Sequence, residues 1–143
     1  MSEKMNYDAL LLKNQLCFPL YAASRKIVRL YAPVLENLRL TYTQYITMLV
    51  LWEQDGLSVK DLGNQLFLDS GTLTPLLKKL EKSGLISRIR DKQDERNVII
   101  FLTDKGHELK NKAVDVPYKI ASCIDIDIKE AVLLKNLLNK IID

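Results

Sequence analysis

The sequence is short of almost everything that metal and cofactor chemistry needs. Its 143 residues hold one histidine, His107, and two cysteines, Cys17 and Cys123, placed 106 positions apart. That is too few ligands, too scattered, for a tetrahedral zinc site, and no cofactor is expected. Two distant cysteines also make no framework of the secreted, disulfide-stapled kind. In a reducing compartment both stay thiols unless one of them is there for redox chemistry. No apolar run approaches the roughly 18 residues that a membrane span requires. The start, MSEKMNYDAL, lacks the apolar block of a signal peptide. Repeats and low-complexity linkers are absent as well. The expectation is a soluble cytoplasmic protein with no membrane partner.

What is present is an ordinary globular composition, 48% hydrophobic and 27% charged, in a length that suits one domain, residues 1–143, with a core that needs no staple. The net charge is only +3, yet its placement is uneven. Residues 70–100 carry seven basic side chains against four acidic ones, while the remainder balances at fourteen of each. The whole excess therefore sits in one stretch of thirty-one residues, a local positive field of the kind that meets a polyanion. Charge alone fits a solvated helix face equally well, so the local architecture has to arbitrate.

Helices dominate the pattern. A first one is expected from about Pro19 to Glu36, with Leu20, Ala23, Ile27, Leu30 and Val34 on a helical period and Pro33 as a possible kink. A second runs from Thr43, as N-cap, to Glu53, with Ile46, Leu49, Val50 and Trp52 as its core contacts. Ser58 caps a short third helix with Val59, Leu62 and Leu66 on one stripe. The fourth, TLTPLLKKLEKSG, carries Pro75 in its first turn and Gly84 as its stop. Its faces separate cleanly: Leu73, Leu76, Leu77 and Leu80 on one side, Gly71, Pro75, Lys78 and Lys82 on the other. LISRIR and NVIIFLT then read as a hairpin, with Ile86, Ile89, Val98 and Ile100 apolar and the charged tip DKQDER in solvent. Thr103 caps a long helix that Pro117 kinks or divides, and a last amphipathic helix spans about Asp127 to Ile142.

Helix, helix, basic helix, hairpin is the order of a winged helix-turn-helix, here residues 41–104. The fold class is mainly α with a small β-hairpin, and the helical ends, 8–38 and 105–143, are dimerisation helices because their apolar faces are too broad to leave in water. In such a fold the basic helix enters the major groove of double-stranded DNA and the wing reaches the backbone or minor groove. Lys78, Lys82, Arg88, Arg90 and Arg96 are the candidates for phosphate, and Ser70, Thr72, Thr74 and Pro75 for base edges and thymine methyls. A two-fold homodimer implies a pseudo-palindromic operator with half-sites about 10 base pairs apart.

The run LTYTQYITMLVLWE, followed by LFLDSGTLTPLLKKLEKSGLISRIRDKQDERNVIIFLTDKG, resembles the MarR family of bacterial transcription regulators over nearly the whole chain. NQLCFPLY at the start, taken with LDSGTLTPLLKKLE, resembles its OhrR-type organic-hydroperoxide branch and the SarZ- and MgrA-like relatives. The resemblance implies that Cys17 is a peroxide-sensing thiol, that Tyr21, Tyr31 and Tyr42 form the sensor pocket, and that Asp94 and Arg96 are the wing-tip acid and arginine. It also implies two fates for oxidised Cys17: a disulfide to Cys123 of the other subunit, or capture of a low-molecular-weight thiol. Pro19 departs from the pattern, which has an ordinary apolar residue there.

Physical chemistry supplies a parallel case. Pro19 belongs in a helix's first turn, which leaves Cys17 at or just before the positive end. Helix N-termini and hydrogen-bond donors favour the thiolate of a cysteine, and tyrosine hydroxyls are such donors. Tyr31 lies fourteen residues beyond Cys17, about 21 Å along a continuous helix, so any approach between them comes from the partner's first helix. On pattern alone, either cysteine is as well read as a small buried hydrophobe, and the tyrosines as core residues. Three functions fit: a repressor that releases DNA when Cys17 is oxidised, the same fold gated by a small aromatic or lipophilic ligand, and a thiol peroxidase. The last is disfavoured by the want of a histidine near Cys17 and by the basic helix and wing.

Overall fold

The computed structural model describes residues 4–143; residues 1–3 of the expected 1–143 domain lie outside the described residues. Seven α-helices and a small sheet follow one another as α1 (Cys17–Leu35), α2 (Tyr42–Glu53), β1 (Leu57–Ser58), α3 (Val59–Leu66), α4 (Ser70–Lys82), β2 (Ile86–Arg90), β3 (Val98–Leu102), α5 (Asp104–Ala113), α6 (Val116–Ser122) and α7 (Ile128–Ile142). Short 3-10 turns occupy Asp8–Leu10, Leu12–Asn14 and Glu36–Leu38.

Several boundaries differ from expectation for local reasons. Helix α1 begins at Cys17, so Pro19 sits at its third position, where the missing N–H would have had no helical acceptor. The cap of α2 is Thr41 rather than Thr43: the Thr41 hydroxyl accepts from the Gln44 N–H at 3.3 Å while the Gln44 side chain accepts from the Thr41 N–H at 2.9 Å, a reciprocal capping box. Asp69 caps α4 and accepts from the Thr72 N–H at 2.7 Å. That start places Pro75 at the sixth position, beyond the first turn, on the exposed side of the helix. At the other end Gly84, with φ +77°, closes α4 through Leu85 N–H to Leu80 carbonyl at 3.1 Å and Gly84 N–H to Glu81 carbonyl at 2.9 Å, a Schellman stop that a side chain would strain. The long helix after Thr103 breaks at Val114–Asp115, and Pro117 opens α6 at its second position.

The sheet has three antiparallel strands in the order β1-β3-β2, not two. Leu57 pairs with Ile100 and Ser58 with Ile99, in the two residues before α3. The core lies between α2, α3, α4 and the sheet, with Met48, Leu51, Leu62, Leu73, Leu77, Leu80 and Ile100 almost fully buried. Helix α2 turns Tyr45, Thr47, Met48 and Leu51 inward, whereas the expected core residues Ile46, Val50 and Trp52 are half-buried and Leu49 is exposed. The two ends of the chain are the opposite case. No residue of α7 is buried, α1 buries only Leu35, and Ile128 is 84% exposed.

Candidate DNA interface and thiol site

Helix α4 is amphipathic because its leucines recur at three- and four-residue spacing, and all four of them, Leu73, Leu76, Leu77 and Leu80, are buried. Burying that stripe fixes what points outward: Ser70, Thr72, Pro75, Lys78 and Lys82 are exposed, and Thr74 is half-buried on the flank. The Asp69 cap holds the first turn in place. The Thr72 backbone N–H, and then the Thr72 side chain, hold the Asp69 carboxyl below the ordinary aspartate range, so it is a permanent acceptor at neutral pH.

The wing arginines have three different environments. Arg96 is 90% exposed, and its Nε and Nη2 donate to the two oxygens of Asp94 at 3.1 and 3.3 Å while its backbone N–H donates to the same carboxylate. That guanidinium, and then the backbone N–H, keep Asp94 below its ordinary range; the acid organises the tip and presents Arg96 to solvent. Arg90 is exposed and donates to the Glu95 carbonyl at 3.2 Å. Arg88 differs. Its side chain is only 27% exposed, pairs with Glu81 of α4 at 3.2 Å, and leaves its Nε buried without a partner. The expected phosphate contact at Arg88 is, in this geometry, a strut between wing and helix.

The fold brings Ser70 and Arg96 to the same cleft. About 400 Å³ of space between α3, the turn before α4 and the wing is lined by Lys60, Asn64, Ser70, Arg96 and Asn97 among others. On the other flank of α4, Thr43, Gln44, Thr72 and Lys79 border a shallower hollow of about 270 Å³. Lys60 and Lys79 were not singled out from the sequence. Lys79 sits one step off the outward stripe and Lys60 belongs to another helix, so only assembly places them beside the α4 face.

The thiol end lies on the other part of the chain. Cys17 is exposed at the first residue of α1, and no side chain caps that helix. Tyr21, one turn on, is exposed, and its hydroxyl accepts from Arg25 Nη1 at 2.9 Å. Tyr31 and Tyr42 come together with ring centroids 4.8 Å apart, and Tyr45, which pattern reading passed over, stands 5.6 Å from Tyr31 and is 2% exposed. Burial first, then Tyr42 and Tyr45, push the Tyr31 phenol above its ordinary value, so it remains a protonated donor at neutral pH. Within one subunit Tyr31 and Tyr42 do not surround Cys17; they form a separate cluster at the α1–α2 junction. Cys123 is exposed at the end of α6, its thiol donating to the Lys119 carbonyl at 3.3 Å. A further apolar cavity of about 410 Å³ opens between α2 and the α5–α6 break, against Tyr45, Leu49, Trp52, Ala113, Val114 and Pro117.

A family model described as the transcriptional regulator SarA/Rot matches residues 29–113. The chain belongs to the SarA/Rot family of transcriptional regulators. This SarA/Rot regulator is 55% identical over 111 residues to the organic hydroperoxide resistance transcriptional regulator of Bacillus subtilis (strain 168), a match that spans 78% of this chain and 76% of that one. It is 42% identical over 143 residues to the HTH-type transcriptional regulator SarZ of Staphylococcus saprophyticus, covering 100% of this chain and 95% of the relative. Among solved structures, reduced AbfR bound to DNA superposes with a TM-score of 0.76 at 38% identity, over 97% of this chain and 100% of that one. The protein is from Staphylococcus epidermidis. The disulfide-formed AbfR gives a TM-score of 0.62 at 39% identity over 90% and 86% of the two chains. The MarR-type winged-helix class read from the sequence is thus borne out, with the third strand added. The relatives are named as regulators, not as enzymes. No helix of the described residues is long and apolar enough to cross a membrane.

Proposed function

We propose that the chain is a cytoplasmic, homodimeric DNA-binding repressor that releases a pseudo-palindromic operator when an organic hydroperoxide oxidises Cys17. The observation that carries this reading is the placement of Cys17: an exposed thiol at the open, positive end of α1, beside apolar surfaces on α1 and α7 that only a second chain would cover. The division of labour follows the two halves of the fold. Residues 41–104 hold the DNA: Lys78, Lys82, Arg90 and Arg96 neutralise phosphates, and Ser70, Thr72, Thr74 and Pro75 meet base edges. Residues 8–38 and 105–143 pair the subunits and carry the switch.

Thiolate attack on the peroxide gives a sulfenic acid, a small change in itself. Condensation with Cys123 of the partner forms an S–S bond and releases water, and needs the two sulfurs at about 2.05 Å. That drags α1 and α6, and the winged parts joined to them, out of the half-site spacing. A low-molecular-weight thiol that takes the place of Cys123 would instead wedge the tyrosine pocket of Tyr21, Tyr31 and Tyr42. The state of AbfR fits the disulfide route, since its reduced form is the one bound to DNA and matches this fold more closely than the disulfide form.

The test is operator binding by anisotropy with and without a stoichiometric organic hydroperoxide. Wild-type protein loses its operator and regains it with dithiothreitol; Cys17→Ser holds DNA throughout. If Cys17→Ser releases DNA like the wild type, the thiol reading is wrong. The cavity under Trp52 favours a second reading, a small aromatic ligand that wedges the α5–α6 break; that regulator would respond unchanged in Cys17→Ser. Catalytic turnover of peroxide by the protein would indicate an enzyme instead.

A further inference from the structure

Helix α1 carries Arg25, Lys26 and Arg29 and not one aspartate or glutamate. Their register matters more than their number. Cys17, Tyr21, Arg25 and Arg29 follow one another at four-residue spacing and so form a single ridge, with Phe18, Ala22 and Lys26 as the ridge beside it. Between the two ridges the surface is concave, holding about 430 Å³ against Phe18, Tyr21, Ala22, Arg25, Lys26 and Arg29. The groove is apolar toward Cys17 and cationic away from it. Arg25 is fixed by Tyr21 itself: Nη1 donates to the phenol oxygen at 2.9 Å and the guanidinium carbon lies 5.4 Å from the ring centroid. Arg25 and Arg29 stand eight and twelve residues from Cys17, about 12 and 18 Å along the axis.

We propose that this groove docks the carboxylate of an amphiphilic hydroperoxide, with its hydrocarbon chain on Phe18 and Tyr21 and its peroxy group at Cys17, so that the sensor favours long-chain acid peroxides over neutral ones. The inference rests on the reading of Cys17 as the sensing thiol and names the class of oxidant it prefers. Charge complementarity commits the occupant, because three cations without a carboxylate on the helix call for an anion, and the apolar half calls for a chain long enough to span the distance. At Cys17 the thiolate sulfur attacks the distal peroxide oxygen. The S–O bond forms as the O–O bond breaks, sulfur is oxidised by two electrons to the sulfenic acid, and the alkoxide leaves to take a proton from water.

The experiment measures the initial rate of Cys17 sulfenic acid formation in the intact wild-type dimer, trapped with a dimedone probe and read by mass. The oxidants are linoleic acid hydroperoxide and its methyl ester, both below their aggregation concentrations, with tert-butyl hydroperoxide as a short neutral comparison. An acid-to-ester rate ratio of roughly fivefold is expected, the size of an exposed ion pair. It should fall toward one in Lys26→Gln/Arg29→Gln, and in about 0.5 M salt, where exposed charges are screened. Equal rates for acid and ester on wild-type protein, with Cys17 oxidised by both, would overturn the groove and leave the thiol sensor standing. No oxidation of Cys17 by any of the three peroxides would sink the sensor and the groove together. A double variant that dissociates to monomers where wild-type protein is dimeric assigns the cations to the subunit interface, and also overturns the proposal.

Discussion

Two arginines seven or eight residues apart in sequence from the same wing do different work because of what faces them. Arg88 sits on β2 opposite Glu81, and its backbone N–H and guanidinium both reach that carboxylate. Arg96 sits on the tip, paired only with Asp94 and almost fully in solvent. Removing Arg96 should weaken operator binding and flatten the dependence of log K on log salt by about 0.9 if it holds one phosphate. Removing Arg88 should leave that slope unchanged and cost about 1 kcal/mol of folding stability, as expected for a partly exposed pair whose partner is left behind. Paired salt titrations and urea melts of Arg88→Ala and Arg96→Ala check both; a flattened slope in Arg88→Ala would return that residue to the phosphate backbone. Sequence reading could not separate the two, because both are arginines in a basic hairpin and only the position of Glu81 distinguishes them.

At the scale of elements, α4 depends on two things, its leucine stripe and its cap. Leu77→Ala should destabilise the fold by about 2–5 kcal/mol, the range for a buried leucine truncated in a packed core, read from urea unfolding. The cap gives a pH signature. The carboxyl of Asp69 is held below its unfolded value, so its contribution is complete above about 3.9, the unfolded value, and is lost as pH falls through the lower folded value. Asp69→Asn can keep the capping bond but cannot titrate, and should flatten the acid side of the stability curve; identical acid unfolding for the two proteins would show that the cap does not contribute. The α4 face, the wing and Gly84 were legible because their signals are unambiguous: leucines at helical spacing, β-branched runs either side of a charged tip, a glycine after lysines. The α2 register was not. Its sequence YTQYITMLVLWE is apolar on most sides, so periodicity does not decide between Ile46, Val50 and Trp52 or Tyr45, Met48 and Leu51, and Tyr45 was lost from the tyrosine cluster by that ambiguity. Strand β1 is two residues long, too short to carry any period.

For the whole molecule the question is how a change at Cys17 reaches α4, which belongs to the other part of the fold. The exposed ends of the chain were legible as pairing helices from their apolar breadth alone, but where Cys17 stands relative to Cys123 depends on an assembly that sequence does not describe. The route is mechanical. Helix α5 is tied to the winged core by the Trp52 indole N–H donating to the Gly106 carbonyl at 2.9 Å, and Gly106 itself packs so tightly on the Leu85 carbonyl that a Cβ would clash. Helix α6, bearing Cys123 at its end, follows after a break of two residues. A disulfide that pulls on Cys123 therefore pulls on an element pinned to the DNA-binding core, whereas a sulfenic acid alone pulls on nothing. Oxidised wild-type protein should run as a covalent dimer on non-reducing gels and lose its operator. Cys123→Ser should show neither under a single equivalent of hydroperoxide when no small thiol is present, although Cys17 is still oxidised by mass. An adduct of a small thiol on monomeric chains, with DNA released, would reject Cys123 as the resolving thiol and place the wedge at the tyrosines instead.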